Sequence, residues 1–351
     1  MAKKKMLGNF ILLITAVVWG SSFVAQTVGG VLGTFSFNGI RSFIGSAALF
    51  VLIIALRLIT GKKTKNDKTL LVGGISCGFV LFFASTCQQL GMNLGVSSGK
   101  SGFITALYIV MVPILYVFMK KPVGRMIWVS VALATLGLYM LCIGGDASFD
   151  IKDPVGSIVN SLSFGGGELA TLMCAIIYAV HIIVIDHFAP KVDCVKMSCI
   201  QFLVVGILSL PMIFFVEQPS LENIGAQTVP LLYAGLMSCG VGYTLQMIGQ
   251  KMTTPTVASL LMSLESVFAV IADKMTEEEE ISKRAEKTES EKLDDIIVRV
   301  GIQNIYDLLT RHTALLNDIK MMLPSTEKID NIDRGTGMVT GATPEEMKGE
   351  E

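Results

Sequence analysis

The chain has 351 residues, 52% of them hydrophobic and only 16% charged, with mean hydropathy +0.62. Soluble domains carry about a quarter charged residues, so an ordinary soluble fold is excluded. The near-neutral total hides a division at about residue 272: residues 1–272 hold 17 Lys/Arg and 10 Asp/Glu, net +7, and residues 273–351 hold 11 and 19, net −8.

The first part reads as an all-α membrane protein and the second as a charged soluble tail. Nine apolar runs follow one another: Leu7–Val28, Phe35–Ile59, Leu70–Leu90, Gly102–Met119, Met126–Ile143, Gly167–Ile185, Val195–Val216, Val229–Ile248 and Val257–Ala272. Each approaches the ~20 residues needed to cross ~30 Å of hydrocarbon. The first, preceded by Lys3-Lys-Lys5, is too long for a signal peptide and lacks a small-x-small cleavage site. Placing the N-terminus in the cytoplasm puts 14 basic residues in cytoplasmic segments, against Lys152 alone on the far side. That asymmetry sets the orientation, with the membrane being the plasma (inner) membrane.

Five spans precede the Gly/Ser/Asp-rich linker at 144–166, so residues 1–143 form one unit and 167–272 a second that enters the membrane upside down. Several stretches repeat. Thr86-Cys-Gln-Gln-Leu-Gly91 matches Thr244-Leu-Gln-Met-Ile-Gly249, and Ala16-Val-Val-Trp-Gly matches Ala175-Ile-Ile-Tyr-Ala. The fourth run, which opens with Ser97-Ser-Gly-Lys-Ser101 and passes through Pro113, matches the ninth, which opens with Thr253-Thr-Pro-Thr. In this reading Ser266 stands where Pro113 stands, and the ninth run is about one helical turn shorter up to that point. A polar-started, interrupted membrane helix occurring twice is a feature of transporters with internal repeats.

Other chemistries fit poorly. Gly95-Val-Ser-Ser-Gly-Lys-Ser101 has three residues between its first Gly and the Gly-Lys pair where a phosphate loop needs four, and apolar helices rather than a strand flank it. The seven cysteines form no CxxC pair, the three histidines show no ligand spacing, and no cofactor or metal is implied. Nucleic acid is not an expected partner. The expected partners are a small-molecule metabolite and the bilayer, with homodimerisation as a further option.

Over residues 1–272 the chain resembles the EamA type of the drug/metabolite transporter superfamily. The residues that carry the likeness are Trp19-Gly-Ser-Ser-Phe23, Phe37-Asn-Gly-Ile-Arg41, Gly102 to Pro113, and Pro255 to Phe268. The resemblance implies two inverted five-helix repeats around a central cavity, and export of small metabolites. It also implies a Gly-Glu turn and a tenth span after the ninth. Here the sequence instead reads Asp273-Lys-Met-Thr-Glu-Glu-Glu-Glu280, with no apolar run of membrane length beyond it.

Six residues are candidates for substrate binding, each with a plainer alternative. Lys100, among serines at the mouth of the fourth span, is either a contact for a substrate carboxylate or an interfacial anchor. Arg41 is either an anion contact or a structural partner of carbonyls. Glu265, the one carboxylate deep in an apolar run, is either a proton-coupling site or a hydrogen-bonded structural group. Trp19, Tyr108 and Tyr178 are either cavity aromatics or helix packing. His181 reads as helix packing. The leading function is export of small polar metabolites, such as amino acids, by alternating access. The alternatives are exchange of organic phosphates or nucleotide sugars, and a non-transporting anchor or fusion product that displays a helical tail.

The tail, 273–351, is expected to be helical over about 276–323. Glu279/Lys283 and Glu280/Arg284 are favourable pairs four apart, apolar residues recur from Ile297 to Leu323, and Pro324 ends the pattern. Residues 333–351 read as disordered. Nine spans from a cytoplasmic N-terminus leave the tail outside. A cysteine introduced by Ser325→Cys should then react with a membrane-impermeant maleimide on intact cells. Reaction only after lysis would contradict nine spans.

Overall fold

The computed structural model describes residues 2–61, 68–142, 165–289 and 310–314. Among these residues the fold is helical throughout, without strands. The tail residues 290–309 and 315–351, the linker residues 143–164, and the expectations made for them lie outside the described set. The chain divides into two compact units, Met1–Glu279 and Glu280–Glu351; of the second, only the end of the last long helix and a short helical stretch at 310–314 are described.

Hydrocarbon offers no partner for peptide N–H and C=O groups, so each apolar run closes its own hydrogen bonds as a helix. Eight described helices are long and apolar enough to span a membrane: Lys3–Leu32, Thr34–Thr60, Lys68–Asn93, Ser98–Phe118, Gly166–Lys191, Cys194–Glu217, Thr228–Gln250 and Pro255–Thr276. They are the first to fourth and sixth to ninth expected spans. The fifth run forms the helix Arg125–Cys142 of 18 residues, about 27 Å long at 1.5 Å per residue. Large apolar side chains such as Phe10, Val51, Leu58, Phe79, Leu133 and Phe214 stand exposed around the outside, as a lipid-facing surface requires. Polar residues fill the interior instead, among them Gln88, Gln89, Gln201, Gln246 and His181.

Two features of the ninth span differ from the sequence reading. Its helix does not stop at Ala272: the apolar segment extends to Thr276, 22 residues in all, and the helix that starts at Glu265 continues to Glu289. Its register against the fourth span also differs. The fourth span breaks at Leu107, between helices Ser98–Ala106 and Tyr108–Phe118, with Pro113 inside the second of them. The ninth breaks at Ser263-Leu264, between Pro255–Met262 and Glu265–Glu289. Counted from Ser98 and from Pro255, no turn is missing, and Tyr108 and Glu265 hold the same place as first residues of the second half-helix. Proline is therefore not the shared cause of the break. In the ninth span Ser259, Ser263 and Ser266 each donate a hydroxyl hydrogen bond to the carbonyl three residues back, at 3.0, 2.9 and 3.1 Å, competing with the helical ladder. Both breaks tighten to three-residue turns, with Leu107 N–H on Ile104 O and Ser266 N–H on Ser263 O, each 3.2 Å.

The two halves are exchanged around each other. The third span meets the sixth where Gly91 faces Gly167; a Cβ at Gly91 would lie 2.8 Å from the Gly167 carbonyl, and one at Gly167 would lie 3.0 Å from that of Gly91. The eighth meets the first where Gly249 faces Gly8, with both corresponding distances 3.1 Å. Gly249 matches Gly91 in the repeated motif, and Gly8 and Gly167 lie equally far before the matching Trp19 and Tyr178. One crossing is thus the two-fold image of the other. The first span ends where the fourth begins (Thr27 Oγ1 to Ser98 Oγ, 2.8 Å), whereas the sixth begins where the fourth begins (Lys100 Nζ to Glu168 Oε1, 2.7 Å). The first and sixth spans therefore run in opposite directions, the signature of an inverted repeat.

These crossings leave no room for side chains. Gly91→Val and Gly249→Val are each expected to destabilise the protein by about 1–3 kcal/mol through overpacking. Gly137→Val, at a position with nothing within 4 Å, should not. The check is the unfolding temperature of the purified protein in detergent.

Candidate functional site

The repeats meet at a cavity lined by Trp19, Phe23 and Gln26 of the first span, Gln88 of the third, Thr105 and Tyr108 of the fourth, Tyr178 of the sixth, Ser238 and Tyr243 of the eighth, and Glu265 of the ninth. Its placement follows from the local breaks. The matched half-helix starts bring Tyr108 and Glu265 into the wall together, and the matched positions Trp19 and Tyr178 also both line it. Gly20 presses on the ninth span, where a Cβ would lie 2.7 Å from the Glu265 carbonyl, and this holds Trp19 beside Glu265. In the eighth span residues Ala234–Gly242 widen into a π-helix, a form frequent at functional sites, which directs Ser238 inward.

The wall is tied together by hydrogen bonds. Tyr178 and Tyr243 share one between their hydroxyls at 3.0 Å, and Gln88 Nε2 donates to Thr105 Oγ1 at 3.1 Å. The Trp19 and Tyr243 rings lie 4.6 Å apart, tilted by 54°, and Phe202 backs Tyr243 edge-on at 5.2 Å. Four polar atoms in the wall lack a well-formed hydrogen bond among the described residues, Trp19 Nε1, Gln26 Oε1, the Tyr108 hydroxyl and Glu265 Oε1, and of these Tyr108 and Glu265 lie within reach of each other. Buried polar atoms are mostly paired, and these four stand around one cavity where a polar guest would meet them. The open space measures ≈ 30 Å³. That is room for about two water molecules at roughly 10–15 Å³ each.

Of the six sequence candidates, Trp19, Tyr108, Tyr178 and Glu265 line this cavity. Lys100 does not. It binds Glu168, the third residue of the sixth-span helix, whose other carboxylate oxygen accepts from Gly165 N–H at 3.0 Å. Arg41 is buried in the second span with its guanidinium 5.2 Å above the Phe37 ring, and is not among the lining residues. His181 is fully buried against Gln201 and the edge of Tyr243, also outside the lining.

The fourth and sixth spans are tied to each other near both of their ends. At their starts stands the Lys100–Glu168 pair. At their other ends Tyr116 donates to Asp186 Oδ2 at 2.7 Å, and Lys121 Nζ lies 4.0 Å from the same oxygen. A further tie joins the halves. Glu217, at the end of the seventh span, accepts from Phe35 N–H at 3.0 Å and Ser36 N–H at 2.6 Å, capping the start of the second.

The tyrosine pair offers a direct check. Tyr178→Phe leaves the buried Tyr243 hydroxyl unpaired, and Tyr243→Phe does the converse, so each is expected to cost about 1–3 kcal/mol. The double variant should lose less than the sum of the two. Thermal unfolding followed by tryptophan fluorescence measures all three.

Comparison with known proteins agrees with this geometry. The model of the EamA-like transporter family matches the chain twice, over residues 6–143 and 165–285. The second match runs past Ala272, in keeping with the longer ninth span. An uncharacterized transporter of Archaeoglobus fulgidus is 28% identical over 268 residues, which cover 76% of this chain and 77% of the relative. A solved structure described as "Crystal structure of protein" is similar with a TM-score of 0.59 at 18% identity, covering 75% of this chain and 87% of that one; at this identity the likeness concerns the fold alone. Two matched units, a cavity where they meet and an apolar exterior lead to one conclusion: the chain belongs to the EamA-like transporter family and is a multi-pass membrane transporter rather than an enzyme.

Proposed function

We propose that the protein exports small polar metabolites, amino acids or related compounds, across the plasma (inner) membrane by alternating access. In this reading the N-terminus is cytoplasmic and the tail extracytoplasmic. The observation that carries it is a cavity with contacts at both ends. Lys100–Glu168 joins the fourth and sixth spans at one end, and Tyr116–Asp186 with Lys121 joins them at the other; in this reading they act as the two gates. A metabolite needs a pocket of about 300 Å³ or more, ten times the ≈ 30 Å³ between these closures. Binding therefore requires the fourth and sixth spans to part at one end, and release requires them to part at the other. The inverted halves supply two equivalent motions for that purpose.

Locking one closure tests the cycle. In a variant without native cysteines, Lys100→Cys and Glu168→Cys would be joined by a short, reducible thiosulfonate cross-linker in proteoliposomes. Counterflow of labelled amino acids is expected to stop on cross-linking and to return on reduction. Unchanged exchange through the cross-linked protein, or no counterflow of any amino acid before cross-linking, would count against the proposal.

A further inference from the structure

We infer that the group this cavity recognises is an organic ammonium, its positive charge seated on Glu265 among the rings of Trp19, Tyr108, Tyr178 and Tyr243. The inference rests on the transport reading above and narrows its substrate class.

The charges decide the sign of the guest. Among the lining residues Glu265 is the only charged one, and no cation joins it. Lys100 is held by Glu168 at the mouth, and Arg41 lies over Phe37 outside the lining. An anionic guest would meet the Glu265 carboxyl within the lining, with Arg41 acting on Tyr178 and Tyr243 only from outside it, whereas a cationic guest finds its counter-charge in Glu265.

Glu265 suits such a guest. It is 4% exposed, has the Tyr108 hydroxyl beside it, and makes no ion pair among the described residues. A buried carboxyl with no counter-charge favours its neutral form, and a cation brought by a ligand offsets the cost of ionising it.

The rings supply the rest of the site. Tyrosine and tryptophan attract cations through their negative faces. Their positions here are set by the Tyr178–Tyr243 hydrogen bond and by the 4.6 Å contact of Trp19 with Tyr243. The Tyr108 hydroxyl, beside the Glu265 carboxyl, offers a further oxygen to an N–H of a primary ammonium. The ≈ 30 Å³ available suits a small ammonium head. The body of the molecule must enter when the fourth and sixth spans part.

Trp19 reports on this site directly. The chain has two tryptophans, and Trp128 lies at 38% exposure outside the lining, so Trp128→Phe leaves Trp19 as the sole emitter. The whole chain with that change, purified in detergent, is titrated with three probes of similar shape: phenethylamine, 2-phenylethanol and phenylacetate. Saturable quenching by phenethylamine is expected at a concentration at least tenfold below that needed for either of the others. Adding Glu265→Gln should weaken the amine at least tenfold, while Glu265→Asp keeps most of the affinity. The three-probe comparison needs no change at Glu265, so it stands even if the glutamine variant fails to fold. Phenylacetate binding as tightly as the amine, no saturable binding by the amine, or unchanged amine affinity in a well-folded Glu265→Gln protein would each overturn the inference. Counterflow of labelled amino acids separates the two ideas: exchange without amine binding leaves transport standing and removes the ammonium site, and amine binding without exchange does the opposite.

Discussion

The fold depends on two places where backbones touch, Gly91 against Gly167 and Gly249 against Gly8. In a bilayer no hydrophobic force draws one apolar helix to another, because lipid tails are as apolar as leucine. Association relies on close packing at small residues. Each crossing joins a span of one half to a span of the other, so the two halves pack through each other. The first and sixth spans are held in opposite directions, and the break points of the fourth and ninth are brought to a common centre.

That centre shows how duplication and divergence share the work. Duplication explains why the wall contains matched positions: Trp19 with Tyr178, and Tyr108 with Glu265. Divergence supplies the chemistry, since one half places a phenol where the other places a carboxylate. The end closures are not duplicated in the same way. Lys100 of the fourth span binds Glu168 of the sixth, whereas their counterparts in the ninth and first spans are Val257 and Asn9, which cannot form an ion pair. The two halves are therefore matched in backbone and different in charge at these ends.

Much of this was legible along the chain. The membrane class and the positions of the spans follow from composition, because hydrocarbon admits only long apolar helices here. The repeat could be read from Thr86–Gly91 and Thr244–Gly249, and four of the six candidate residues reach the cavity. Glu265 stood out because a carboxylate in an apolar run is expensive wherever it goes. Hydropathy marks the end of the ninth apolar run at Ala272 but does not mark the end of its helix. The helix passes Ala272 without interruption, since Asp273 and Lys274 continue its ladder as readily as apolar residues do.

The remaining features were decided by tertiary structure. Tyr243 and Ser238 line the cavity through a π-helical stretch, Ala234–Gly242, which shifts the angular phase on which any 3.6-residue reading of the eighth span relies. The fourth span bends at Leu107 rather than at Pro113, because the turn forms where the helices meet at the cavity. Lys100 left the list of cavity groups because Glu168, 68 residues away, stands 2.7 Å from it, and sequence separation carries no record of such a meeting. The sequence by itself determined a membrane protein built twice from one unit, since those properties depend on local hydropathy and on repetition. Which side chains face the cavity and which neutralise one another was determined only by the packing of the exchanged halves, since charge and orientation act between residues brought together in space.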